Sequence, residues 1–109
     1  MTRHGADIRS FTLTFDEPLP IEAFGSAVES LVMSHGENLL RIKGLVNAAD
    51  RPGRPLVIHG VQHVFHDPVW LDAWPGDDRR TRLVFITRGI PRKTLEDFFA
   101  IWIGLEREN

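Results

Sequence analysis

The chain has no cysteine among its 109 residues. That excludes a disulfide framework, a thiolate metal site and a thiol nucleophile. Long hydrophobic runs are missing too: no apolar stretch reaches the roughly 20 residues that a bilayer-spanning helix requires. The first ten residues, MTRHGADIRS, hold no apolar segment of the signal-peptide kind. A cytoplasmic protein is the expectation. Charge of one sign is not in excess, with 13 basic residues against 15 acidic ones and a net charge of −2. Without a basic stripe the chain does not read as a dedicated nucleic-acid binder, and nothing in it points to a membrane. None of its nine glycines opens a G-x-x-x-x-G-K-S/T loop, so a Walker-type nucleotide site is excluded. Ser10, Ser26, Ser30 and Ser34 lack the G-x-S-x-G context of a hydrolase nucleophile.

What remains is an ordinary globular composition, 42% apolar and 26% charged, in a length that makes one domain. Residues 1–7 are polar and read as a linker or disordered N-terminus; the domain is expected over 8–105. IRSFTLTF alternates, with Phe11, Leu13 and Phe15 on one face, and reads as a strand with that face buried. Apolar residues then recur at 21, 24, 28, 31 and 32, a helical stripe. Pro20 falls where a first turn tolerates proline. Gly36 stands where a left-handed C′ residue would end that helix. NLLRIKGLVNA reads as a second strand, bulged at Gly44, with Arg41 and Lys43 on its polar face. LVIHGVQHVFH reads as a third, long strand bent near Gly60. DPVWLDAWPGDDRR is an extended connection, and TRLVFITRG is a strand apolar on both faces and therefore central. The last helix carries Leu95, Phe98, Phe99 and Trp102 on one stripe. The order β-α-β-β-β-α implies an α+β two-layer sandwich, a mostly antiparallel sheet of about four strands with two helices on one face.

The chemistry-bearing candidates are few. His59, His63 and His66 fall within nine residues of a chain that has five histidines. On a regular strand His59 and His63 stand on the order of 13 Å apart, and His66 points to the other face. Zinc needs its nitrogen ligands within about 2.1 Å of one ion. A regular strand therefore makes these structural or surface histidines. A fold-back after Gly60, or help from a carboxylate such as Asp67, is what a metal site would require. Asp77 and Asp78 beside Arg79 and Arg80 read as a solvated loop tip. Trp70 and Trp74 are open to two readings, a plug at one end of the sandwich or an aromatic patch that meets another domain.

Four blocks in order, IRSFTLTF, ENLLRIKGLVN, RPLVIHGVQHVF and WPGDDRRTRLVFITRGI, resemble the C-terminal domain of the CobW-like P-loop GTPases, a family of metal chaperones linked to cobalamin synthesis. The resemblance spans nearly the whole chain. It implies a parent protein that begins with a GTPase domain carrying G-x-x-G-x-G-K-S/T and a C-x-C-C metal motif, and that uses GTP, Mg and zinc or cobalt. Neither motif occurs here, so no catalytic residue carries over and no cofactor is assigned to this domain.

The expectation is a non-enzymatic interaction or regulatory module. Its partners would be the GTPase domain of the same parent chain, a metalloprotein client or a second copy as a homodimer. The sheet face opposite the helices is its contact surface, with Arg41, Lys43, His59, Trp70 and Trp74 as the residues to test. The alternative is a weak zinc- or cobalt-binding module that uses His63, His66 and Asp67.

Overall fold

A computed structural model describes residues 7–108 of the chain, with side chains as far as Gly104. The expected linker, residues 1–7, lies outside these except for Asp7, whose carbonyl accepts the Gly89 N–H. The elements run β1 (Ile8–Phe15), α1 (Ile21–His35), one 3-10 turn (Gly36–Asn38), β2 (Leu39–Val46), β3 (Leu56–Val61), β4 (Val64–Phe65), β5 (Val69–Trp70), β6 (Thr81–Arg88) and α2 (Arg92–Glu108). No helix among the described residues is long and apolar enough to cross a membrane.

All strand pairs are antiparallel, in the order β1-β6-β2-β3-β4, with β5 also on β3. β6 is central, as its two apolar faces predict. β1 and β2 both run antiparallel to it and so parallel to each other, with α1 as the crossover of a split βαβ unit. Alternation puts Leu13, Ile42, Ile58, Leu83 and Phe85 on one face of the sheet, where α1 and α2 cover them with Phe24, Ala27, Leu31, Leu95, Phe99 and Ile103. Phe99 stacks on Phe24 at 5.7 Å and meets Phe15 edge-on. Each such side chain, fully buried, contributes about 1.5–3 kcal/mol, which holds both helices on this one face. The result is the expected two-layer α+β sandwich.

Three local expectations are corrected. The third strand is not one bent strand: the chain reverses at Gln62 and His63, and β3 and β4 form a tight hairpin. Gln62 takes a positive φ of 54°. That conformation is held by its N–H on the Leu39 carbonyl at 2.9 Å and its side-chain amide on the Glu37 carbonyl at 3.1 Å. Together with β5, this raises the strand count from four to six. The bulge in β2 lies at Leu40, between the Leu39 and Arg41 pairings with β6, not at Gly44. Gly44 keeps regular register with both neighbouring strands, and a Cβ there would run into the Arg82 carbonyl. Gly36 does not adopt a left-handed conformation either; its φ and ψ are −55° and −36°. Its missing side chain makes room for the His63 ring, which a Cβ would strike.

Candidate functional site

Only one face of the sheet carries helices, and the other presents the alternate residue of each strand. Registered rows define its pattern. Lys43 sits between His59 of β3 and Val84 of β6, and Leu45 between Val57 and Arg82. Arg41 lies beside Ile86. Basic and aliphatic side chains therefore alternate across the face. Half-buried Leu45, Val57, Val84 and Ile86 fill the spaces between exposed Arg41, Lys43 and Arg82. At the hairpin edge Val61, Val64 and Val69 are 44%, 67% and 57% exposed. A depression of about 410 Å³ opens among Arg41, Lys43, Val57, His59, Arg82 and Val84.

Charge on this face is one-sided. Arg41 and Lys43 form no ion pair among the described residues. Arg82 shares Asp78 with Arg80, at 3.1 and 3.0 Å. Asp78 is clamped by the Arg80 side chain first and its backbone N–H second, which holds its carboxyl far below the usual carboxylate range. The same contact raises the Arg80 guanidinium. This carboxylate is thus committed to Arg80 and Arg82 and is not among the residues that line the depression.

The hairpin decides the fate of the histidines. His59 and His66 become opposite neighbours across β3 and β4: the His66 N–H donates to the His59 carbonyl at 3.0 Å, and the rings stack with centroids 4.9 Å apart. Partial burial, then Arg41, His66 and Lys43, lower the His59 imidazole below its ordinary value. His63 goes to the other side of the sheet. Its ring packs on Gly36 and lines a groove of about 450 Å³ with Phe24, Val28, Ile58 and Phe65. His63 and His66, placed together in the sequence reading, are thus separated, and Asp67, which follows His66, is exposed. Among the described residues, no three His, Asp or Glu side chains are grouped to hold one metal ion.

The tryptophans also divide. Trp74 is buried rather than presented, and its indole N–H donates to the Pro52 carbonyl at 2.9 Å. Trp70 is half-buried in β5, paired with Leu56, and the Arg51 guanidinium lies 4.5 Å from its ring centre. Both side chains tie the β2–β3 turn to the connection that follows β4. Two features of the face are absent from the sequence reading, the His59–His66 stack and the place of Arg82. A two-residue turn at Gln62–His63 would have revealed the first. Arg82 was legible as the outward neighbour of Leu83.

Residues 8–101 match the family described as the cobalamin synthesis protein cobW C-terminal domain, and the chain belongs to that family. It is 29% identical over 94 residues to the zinc chaperone YjiA of Escherichia coli K12, a match that covers 86% of this chain and 29% of that protein. The crystal structure of the Zn(II)-bound YjiA GTPase superposes with a TM-score of 0.76 at 27% identity, over 88% of this chain and 30% of the other. A Zn(II)-bound triple mutant of the same GTPase superposes with a TM-score of 0.77. The chain thus spans less than a third of the length of the relative that it matches.

Proposed function

We propose that this CobW C-terminal domain is a non-catalytic contact module of a GTP-dependent zinc-handling protein, and that its open sheet face is where contact is made. One observation carries the reading: a face with exposed valines and unpaired cations, left bare by a layer of helices on the opposite side. Half-buried aliphatic side chains on β2, β3 and β6, continued by exposed valines at the hairpin edge, are what a covering surface would bury. The GTPase domain of the parent chain is the first partner, because the homologous region of the relative belongs to one GTPase chain. Hydrolysis itself is assigned elsewhere, since no loop here has the residues to cradle phosphates.

The chain contains its own probe. It has two lysines, Lys43 on the open face and Lys93 on α2. A chimera in which this chain replaces the matched region of the E. coli chaperone, checked by retained GTP hydrolysis, is labelled by reductive methylation beside the isolated chain. Lys43 is expected to react at least tenfold more slowly in the chimera, with Lys93 unchanged. Equal Lys43 rates would defeat the reading.

A second reading, weak binding of zinc or cobalt, draws support from the His59–His66 pair rather than from the set His63, His66 and Asp67. Calorimetry with zinc separates them: His66→Ala abolishes binding in both, His59→Ala only if the stacked pair is the site, and His63→Ala only if the other set is.

A further inference from the structure

We infer that the open face selects an acidic protein surface, with carboxylates seated on Arg41 and Lys43 and aliphatic side chains between them. This rests on the contact-module reading and adds the chemistry of what is contacted. The argument is charge complementarity within a fixed pattern. β2 and β6 hold Arg41, Lys43 and Arg82 in register, each beside an aliphatic neighbour, Ile86, Val84 and Leu45 respectively. Asp78, the carboxylate that Arg82 holds, is spent on Arg80 and Arg82, and among the described residues Arg41 and Lys43 form no ion pair. His59 on β3 adds a further polar group beside Lys43. The whole chain is slightly acidic, with a net charge of −2, so the cationic patch is a local feature and not an average property.

A partner that fits carries alternating acids and aliphatics. Its carboxylates would pair with Arg41 and Lys43, which form no ion pair among the described residues, and its apolar side chains would dry the depression and strengthen those pairs. A polyanion without apolar groups fits less well. Nucleic acid would meet four apolar residues among the cations, and this face lacks the continuous basic stripe that backbone binding needs.

The test is an NMR titration of the isotopically labelled chain with a peptide of alternating Glu and Val. A Lys-Val peptide of the same length and an RNA oligonucleotide of matched charge serve as competitors. The Glu-Val peptide is expected to move the resonances of Arg41, Lys43, His59 and Val84, and to bind at least tenfold more weakly in Arg41→Glu/Lys43→Glu. Milder Arg41→Gln/Lys43→Gln, which keeps the side-chain bulk, is expected to weaken binding severalfold, and Lys93→Glu to change nothing. A rise in salt from 50 to 500 mM should weaken it as well, since screening shortens from roughly 14 Å toward 4 Å. Binding of the Lys-Val peptide with equal strength, tighter binding of RNA, or shifts confined to another face would each overturn the inference. The two failures are separable. Lys43 protected in the chimera without acid selectivity leaves the contact reading intact and removes its chemistry; acid selectivity with Lys43 unprotected does the reverse.

Discussion

Gly44 and Gly36 lack side chains for different reasons, and the difference is measurable. At Gly44 the obstacle is the backbone carbonyl of Arg82 on the neighbouring strand, which cannot move without breaking the sheet. Gly44→Ala should lower unfolding stability by about 1–3 kcal/mol, the usual range for overpacking, read from urea midpoints. At Gly36 the obstacle is the His63 ring, a side chain at a hairpin turn. Gly36→Ala is therefore expected to cost less, and Gly36→Ala/His63→Ala to recover most of the loss in a double-mutant cycle. His59 adds a pH dependence. Partial burial and then the nearby positive charges hold it below the ordinary histidine value of 6.5, so protonation favours the unfolded chain. The stability linked to it is fully present above about pH 6.5 and is lost as pH falls through the folded value. Urea midpoints at pH 7.5 and below should show this fall, and His59→Gln should flatten it.

Among the elements, the β3–β4 hairpin has the greatest consequence for the open face, because it alone brings His66 to His59. Its turn has none of the glycine or asparagine that two-residue hairpins favour. Gln62 accepts a positive φ in exchange for two hydrogen bonds to the segment 37–39. Gln62 itself bears the roughly 1–2 kcal/mol cost of a left-handed residue; a β-branched side chain fits that conformation less well still and cannot make the side-chain bond. Gln62→Val should destabilise by about 1 kcal/mol or more and loosen the His59–His66 contact, visible as loss of their ring cross-peaks in NMR. Gln62→Gly should stay close to wild type, since relief of strain offsets the lost amide bond. On the opposite edge, Arg92 of α2 donates to the Thr12 carbonyl of β1 at 3.0 Å and lies over Phe11. An edge strand covered in this way is less available for pairing with another chain.

At the scale of the whole molecule, the described residues form a sandwich with one dressed face and one bare one. The chain corresponds to 29% of the length of its E. coli relative. Without a phosphate-cradling loop, the isolated chain should not respond to GTP. Millimolar GTP is expected to leave its thermal midpoint unchanged. A nucleotide present at 100 times its Kd would add about 2.7 kcal/mol, a rise on the order of 10 °C for a domain of this size, so a binding event could not be missed.

Sequence periodicity is a local property, and what depends on it was legible. Phe11, Leu13 and Phe15 turned inward, β6 took an interior place between β1 and β2, and two amphipathic helices found one shared face. The stripe of α1 was read without Ala23 and Ala27, which are buried but too small to stand out in an apolar count. In α2 Leu95, Phe99 and Ile103 face the core, while Phe98 and Trp102 flank them half-buried. By itself the sequence determined the class of fold, the absence of a nucleotide loop and the family resemblance. Strand order, the hairpin at Gln62, the separation of His63 from His66 and the burial of Trp74 were decided only by tertiary structure. The physical reason is that a strand's alternation sets which residues share a face, whereas the residue met on the next strand depends on register and on a turn held by hydrogen bonds from distant parts of the chain.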